Sequence, residues 1–487
     1  MGVFMSIKMV TEEFPVLMER DVVVVGGGTA GAIAAIAAAR NGAKTLIIEA
    51  TGALGGALVN QGVEILHTFR VSYGIGKRET EGIHGEIDFE TEQVVRGIPQ
   101  EIVNRLIDKG GAEGKKDDVP YRRAVDPEIY KLLMDEMCEE AGVEVLFQTY
   151  FVNAIKERDT VKGVTFVNKS GKGAVLAKIV IDASGDADVA TSAGAEDMKG
   201  RNFPGHENLP MAGSLIFYVG GADSQKGREF KKNTDMLEFL HKAVENGDYT
   251  IPKESENFGR WNMGYPVLRG GQKRKEVVLI NQDMVYQTDA TNAEQLSKAW
   301  VYARKRVYET LNFLRKSVPG YENSYVISMC PYIGMRDSRN IVGDYVLSEN
   351  DFNESRSFPD AIGRSGRAMN VHFVAGWPKR MKNMKEFPYG EHGGGSPTWT
   401  ETKKPYDIPY RALLPKGLEN IFVVGKTISA KGLMQGSIRG MPQCMVGGQA
   451  AGTAAAIAIK DSVSPRQVDI KKLQEVLKEQ GADLGQK

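Results

Sequence analysis

Residues 21–49 constrain the fold more than any other stretch. Asp21-Val22-Val23-Val24-Val25 is an unbroken β-branched run, as expected of a parallel strand buried on both faces. It leads at once into Gly26-Gly27-Gly28-Thr29-Ala30-Gly31, a G-x-G-x-x-G, and then into an Ala- and Ile-rich helix from Ala32 to Arg40 closed by Asn41-Gly42. Lys44 to Ile48 forms a second strand that ends at Glu49. Strand, glycine turn, helix, strand and acid, in that order, make the first half of a dinucleotide-binding unit. Gly26 makes the tight turn, Gly28 lets the backbone approach a pyrophosphate, and Gly31 permits close packing of helix on strand. Thr29 and Ala30 complete the turn, and the helix N-terminus offers free N–H groups and partial positive charge to a diphosphate. Glu49 follows Gly31 by 18 residues, where it can accept hydrogen bonds from ribose hydroxyls and disfavour a 2′-phosphate.

Bulk properties narrow the remaining classes. A length of 487 residues suggests two to three domains. Lys plus Arg (62) balances Asp plus Glu (62), so no global basic field attracts nucleic acid or a membrane surface. Cys138, Cys330 and Cys444 lie far apart without a C-x-x-C pair. That excludes a disulfide scaffold, an all-cysteine iron–sulfur site and a vicinal redox dithiol. The six histidines show no metal-ligand spacing, and no metal is expected. Charges at Lys8, Glu12 and Glu13 make residues 1–20 a poor signal peptide, and no run approaches about 18 strongly apolar residues. A soluble, cytoplasmic protein is expected.

The nucleotide pattern resumes more than 350 residues later. Asn420 to Val424 reads as a short strand ending at Gly425. Gly436-Ser437-Ile438-Arg439-Gly440-Met441-Pro442 then leads into a helix from Gln443 to Ile459. Pro442 suits a first helical position, and the small residues beyond it allow close approach to a neighbouring backbone or ligand. Further distinctive segments are Gly55-Gly56, Asp126-Pro127-Glu128, Ile181 to Asp188, Arg336-Asp337-Ser338-Arg339 and Ile408-Pro409-Tyr410-Arg411. On these residues, from about 20 to 460, the chain resembles the FAD-dependent oxidoreductases related to fumarate reductase flavoproteins, within the glutathione-reductase-type FAD fold.

The resemblance implies an α/β protein that binds FAD: a split, three-layer, Rossmann-like FAD-binding domain with an inserted α+β substrate domain. The expected divisions are 20–204 and 406–462 for the FAD-binding domain, 205–405 for the insertion and 463–487 for a helical tail. The helix from Gln443 is implied to aim its N-terminus at the pyrimidine end of the flavin. Gly425, Ser437, Met441, Gln443 and Cys444 are thereby placed near the cofactor, although a buried inert thiol is the simpler role for Cys444. Asp126 reads as an N-cap, with Ile129, Leu132, Leu133 and Met137 forming one apolar helix face that ends at Gly142. Val143 to Lys178 reads as a three-stranded meander, implied to lie beside the adenine, which adds Val152 to the cofactor set. Ile179 to Asp182 returns to the main sheet, where Gly185 and Asp186 can approach the cofactor; Asp186 equally suits a helix cap.

Four side chains are candidates for chemistry. His372, before a glycine-bearing loop, is the natural proton acceptor or donor, and His392 lies in Glu391-His392-Gly393-Gly394-Gly395, a candidate lid. Arg336, spaced i, i+3 from Arg339 on an expected helical turn, suits a carboxylate, or else pins the insertion to the FAD domain. His67 follows Gly56 by eleven residues, in the general area where the resemblance implies that some relatives attach FAD covalently to a histidine; the lack of a histidine in Gly56 to Leu66 itself argues against such attachment here. There is no second G-x-G-x-x-G in the right context, so a separate NAD(P)H domain is not expected. The expected activity is hydride transfer between FAD and a small oxygenated organic substrate. A flavin monooxygenase or halogenase is the alternative, with a nucleic-acid-modifying or partner-docking flavoprotein behind it. Substrate identity, the external electron acceptor or donor and homo-oligomer formation stay open.

Overall fold

The computed structural model describes residues 13–72, 91–118, 122–200, 210–250, 264–282, 285–372, 398–400 and 404–485. Strand β1 (Val16–Val25), helix α1 (Gly31–Arg40) and strand β2 (Thr45–Ile48) form the expected βαβ beginning. Val22 to Val25 are buried, as a run apolar on both faces requires. A short strand, β3 (Ile65–His67), follows. Helix α2 (Pro127–Ala141) starts where Asp126 accepts a hydrogen bond from Glu128 N–H and ends at Gly142, whose φ of 75° is left-handed. Its buried face is Tyr130, Leu133, Met134, Met137 and Cys138. Leu132, expected there, is 54% exposed: the adjacent positions at helical spacing from Tyr130 take the core instead.

Strands β4 (Glu144–Leu146), β5 (Tyr150–Glu157), β6 (Thr160–Asn168) and β7 (Gly171–Asp182) correct the meander in two respects. β4 leaves it to pair in parallel with β2. The last meander strand and the strand that returns to the main sheet are one strand, β7. Its Gly171–Leu176 half pairs antiparallel with β6, while Val180–Asp182 pair in parallel with β12 (Ile421–Val423), 241 residues away. β1 runs parallel along its other edge. The spatial order is β4-β2-β1-β7-β6-β5, with β12 beside the end of β7.

Helix α4 (Met441–Asp461) packs on α1 across one face of this sheet. Two glycines set the distance. A Cβ at Gly448 would overlap Ala30 O, and one at Gly452 would overlap Ala34 O. Helix α4 therefore lies backbone to backbone on α1, which explains why both are so rich in alanine and glycine. Leu347, Phe352, Ile362, Met369 and Tyr406 pack into the same core. A second core, with Val23, Val25, Val164, Val180 and Ile421, fills the opposite face and completes three layers.

The insertion carries a separate antiparallel sheet of β8 (Phe217–Gly220), β9 (Tyr265–Arg269), β10 (Gln272–Ile280) and β11 (Tyr325–Met329), ordered β9-β10-β8-β11. Helix α3 (Ala293–Ser317) covers one face through Ala299, Ala303, Val307, Leu311 and Leu314. On the other face, Ile216, Val267, Leu279 and Cys330 meet Val63 of the nucleotide-binding body. Among the described residues no helix is long and apolar enough to cross a membrane.

Candidate functional site

The C-terminal ends of β1, β7 and β12 converge on the glycine turn. Gly26 has φ 98°, and its backbone passes so close to Ala183 that any Cβ would collide. Gly31 is equally closed by Gly26 O. Thr29 and Ala30 are buried between them at the start of α1. Gly55 N–H donates to Gly27 O at 2.9 Å, which brings Gly56 against Gly28; a Cβ at Gly56 would stand 2.8 Å from Gly28 Cα. The space over the turn is open. A Cβ at Gly28 would meet only Gly56 at 3.7 Å, one at Gly425 only Ala30 at 3.6 Å, and one at Gly185 nothing within 4 Å. Bare backbone on three strands around a helix N-terminus fits a diphosphate cofactor.

Glu49 is buried and fixed at the edge of this cradle. Gly27 N–H donates to its Oε2 at 2.6 Å and Thr51 N–H to its Oε1 at 2.7 Å. A carboxylate accepts about four hydrogen bonds, so capacity for ribose hydroxyls is left. Val152 is half-buried in β5, where the register slips between Phe151 and Asn153. Asp186 is not a cap: Ala187 holds the N-cap position of the following short helix, and Asp186 instead pairs with Lys426 Nζ at 3.2 Å. Burial lifts the neighbouring Asp188 carboxyl to about 6, with Asp186 and Asp182 adding to the rise and Arg339 opposing it.

A cavity of about 280 Å³ opens between this body and the inserted sheet. Gly440 and Met441 bring the N-terminus of α4 to its wall. The side chains of Ser437 and Cys444, expected near the cofactor, face the protein instead. Ser437 bonds Tyr406 and the Arg367 carbonyl, and Cys444, its thiol pushed up to about 12 by burial, points at Ile438 O. Gln443 is also interior; its Nε2 donates to Thr68 O at 3.1 Å.

His372 and Arg336 both line the cavity; His392 lies outside the described residues. His372 stands just beyond the strand Met369–Val371. Arg336 is not on a helical turn. It reaches Ala212 O and, at 2.9 Å, Ser214 Oγ, whereas Arg339 opens the strand Arg339–Ile341 and turns away to Asp186 O and Asp188. The shared face expected from their spacing does not form. His67 does line the cavity, with Nδ1 at 2.8 Å from Thr68 Oγ1 and 2.6 Å from Arg367 Nη1.

Sequence reasoning missed most of the charge around these groups. Buried Arg367 packs against Gly440, Arg439 donates to Asn370 O at 2.8 Å, and Lys426 enters from the end of β12. Glu64 is the one carboxylate among the described lining residues, and it is already engaged. Arg269 donates to it twice, at 2.6 and 2.9 Å, and the Tyr218 hydroxyl once, at 2.5 Å. Burial raises the Glu64 pKa, and Arg269 opposes that rise. Arg439 lay within a quoted motif; Arg367, Lys426 and Glu64 carried no spacing that would single them out.

A sequence profile of the family described as FAD dependent oxidoreductase matches residues 21–477. Digeranylgeranylglycerophospholipid reductase 2 of Methanopyrus kandleri is 32% identical over 171 residues, which is 34% of this chain and 38% of that protein. Dihydrolipoyl dehydrogenase of Trypanosoma brucei brucei is 55% identical over 49 residues, 10% of each chain. The matches thus span well under half the length of these curated relatives. Among solved structures, a geranylgeranyl bacteriochlorophyll reductase-like protein from Thermoplasma acidophilum aligns with a TM-score of 0.42 and 17% identity, covering 95% of this chain and 84% of that one. The p-nitrophenol 4-monooxygenase of Pseudomonas putida DLL-E4 aligns with a TM-score of 0.42 and 12% identity, covering 96% and 87%.

Proposed function

Because the chain belongs to the FAD-dependent oxidoreductase family, we propose that it transfers a hydride between FAD and a small, oxygenated, anionic organic substrate of the hydroxy-acid kind. The observation that carries this reading is the charge of the cavity. Arg336, Arg367, Arg439 and Lys426, the last of them paired with Asp186, line it, and among the described lining residues Glu64 is the one carboxylate and is already paired. Guanidinium groups hold carboxylates through paired N–H donors, and a water-poor pocket of one sign selects the opposite charge.

Bound FAD supplies the hydride-transferring centre. The protein's part is positioning and proton handling. Gly26, Gly28, Gly31 and the N-terminus of α1 hold the diphosphate, Glu49 the ribose, and Gly56, Gly185 and Gly425 leave room for the cofactor's length. The N-terminus of α4 favours negative charge beside it by roughly 0.3–1 kcal/mol, up to about 2 when partly buried. His372 takes or gives the substrate proton. His67 Nδ1 lies 2.6 Å from Arg367 Nη1, and since a guanidinium can only donate, the ring nitrogen facing it is the acceptor.

The test is anaerobic mixing of the yellow protein with hydroxy acids and with neutral polyols. Bleaching by the acids at concentrations where the polyols are inert is expected. His372→Ala should then lower turnover by about 10²–10⁴-fold. Unchanged turnover removes His372 from the reaction, and equal response to acids and polyols removes the anionic substrate.

A further inference from the structure

Three large aromatic side chains stand in solvent close to Glu49. Phe147 is 36% exposed, Tyr150 54% and Tyr332 43%. Single exposed aromatics are ordinary, but a group of them around one buried acid is not accounted for by packing. The backbone ties the segment carrying Phe147 and Tyr150 to that acid. Glu49 N–H donates to Leu146 O at 2.9 Å, Thr149 N–H to Glu49 O at 3.0 Å and Gln148 N–H to Thr51 O at 3.0 Å, so residues 146–150 wrap the end of β2.

Tyr332 arrives from the insertion rather than from the nucleotide-binding body. Its N–H donates to Asn60 O at 3.1 Å, Asn60 Nδ2 donates to Thr51 Oγ1 at 3.2 Å, and Thr51 N–H donates to Glu49 Oε1 at 2.7 Å. Three successive hydrogen bonds thus hold Tyr332 in place relative to the acid. Its hydroxyl interacts electrostatically with both Tyr150 and Glu49, and partial burial holds its pKa above the usual tyrosine value.

We propose that Tyr150 and Tyr332 form a stacking platform for the adenine of FAD. If Glu49 takes the ribose hydroxyls, the base one glycosidic bond beyond belongs beside the segment 146–150 that wraps the end of β2 and the Tyr332 tied to it. A phenol ring offers a flat π-face to a purine at little conformational cost, and base–aromatic stacking tolerates any base orientation that keeps the planes together. The platform also has a consequence for assembly: the adenosine half of the cofactor fastens the insertion, through Tyr332, to the nucleotide-binding body.

Apoprotein titrated with FAD and with FMN, which lacks the adenosine, tests this through flavin fluorescence and needs no substrate. Tyr332→Ala and Tyr150→Ala should each weaken FAD about tenfold or more while leaving FMN within about twofold. Tyr332→Phe, which keeps the ring, should bind FAD like the parent, as should Tyr325→Ala, which removes a tyrosine 53% exposed on β11. AMP should compete with FAD for the parent apoprotein and lose that ability in Tyr332→Ala. Unchanged FAD affinity in both alanine variants overturns the platform, and so does a parallel loss of FAD and FMN, which signals general disruption. The inference rests on the cofactor and not on the proposed substrate, so a failed screen with hydroxy acids leaves it standing. Parent apoprotein that binds FAD no better than FMN defeats it outright.

Discussion

In the nucleotide-binding body, α1 and α4 meet with almost no side chain between them, Gly448 and Gly452 lying on the carbonyls of Ala30 and Ala34. In the inserted sheet, α3 rests on β8, β10 and β11 through ordinary leucine, valine and alanine side chains. The outer edge there is lax enough to leave Tyr325 and Ile327 exposed. The first arrangement depends on residue identity, because nothing but glycine fits. The second depends on apolar volume, which several residues supply equally well. The glycine cradle and the cavity divide along the same line. The cradle is backbone and glycine, whereas the cavity wall is made of side chains, apolar ones together with Glu64, Arg336, Arg367, Lys426 and Arg439.

The strongest challenge to this contrast is a bulky group at the helix contact. Gly452→Leu should abolish folded, flavin-binding protein, or lower the melting temperature by more than about 10 °C, whereas Leu311→Met in α3 should cost less than about 1.5 kcal/mol. Comparable melting of the two variants would erase the distinction. Next in size is the link between the two regions. Arg269→Ala leaves the buried Glu64 carboxylate uncompensated and should cost about 3 kcal/mol by denaturant unfolding, much of it recovered in Arg269→Met with Glu64→Gln. A double variant as unstable as the single one would mean that the pair's charge is not what matters.

Glu49→Gln should weaken FAD about tenfold in apoprotein titration, since it exchanges charge-assisted for neutral hydrogen bonds. The smallest effect concerns Asp188. Its folded pKa of about 6 lies above the ordinary aspartate value, so the folded state favours the protonated form. Its contribution is most favourable below about pH 4 and is lost as pH rises through about 6. Asp188→Asn should therefore raise the melting temperature by about 1–3 °C at pH 8 and by nothing measurable at pH 4; the side chain is partly exposed, which keeps the effect small. Destabilisation at pH 8 would show that the Arg339 pair outweighs burial.

These two kinds of packing also decide what could be read in advance. Gly26, Gly31 and Glu49 were legible because each is demanded by a local geometry within 30 residues of chain. The splitting of the sheet was legible because Asn420 to Gly425 repeats the strand-to-glycine pattern. Leu132 misled because an apolar stripe on a helix admits neighbouring choices of face, and contact with the rest of the body selects among them. Arg336 and Arg339 misled because their spacing has meaning only on a helix, and the chain there is extended. Arg367 and His67 are 300 residues apart and meet only in three dimensions. Such convergence leaves no periodic trace, so the cavity's charge could not be read as a pattern.

The pairing of β12 with β7, and of α4 with α1, has a consequence in time. A ribosome adds roughly 5–20 residues per second. The first βαβ segment emerges long before the strand and helix that cover it, by roughly 20–80 seconds at that rate. Throughout that interval the alanine-lined flank of α1 lacks its partner, as does the edge of β7 from the time that strand emerges, and the insertion is made in between. A chaperone that shields this flank during synthesis should raise the yield of active protein more than one supplied after release.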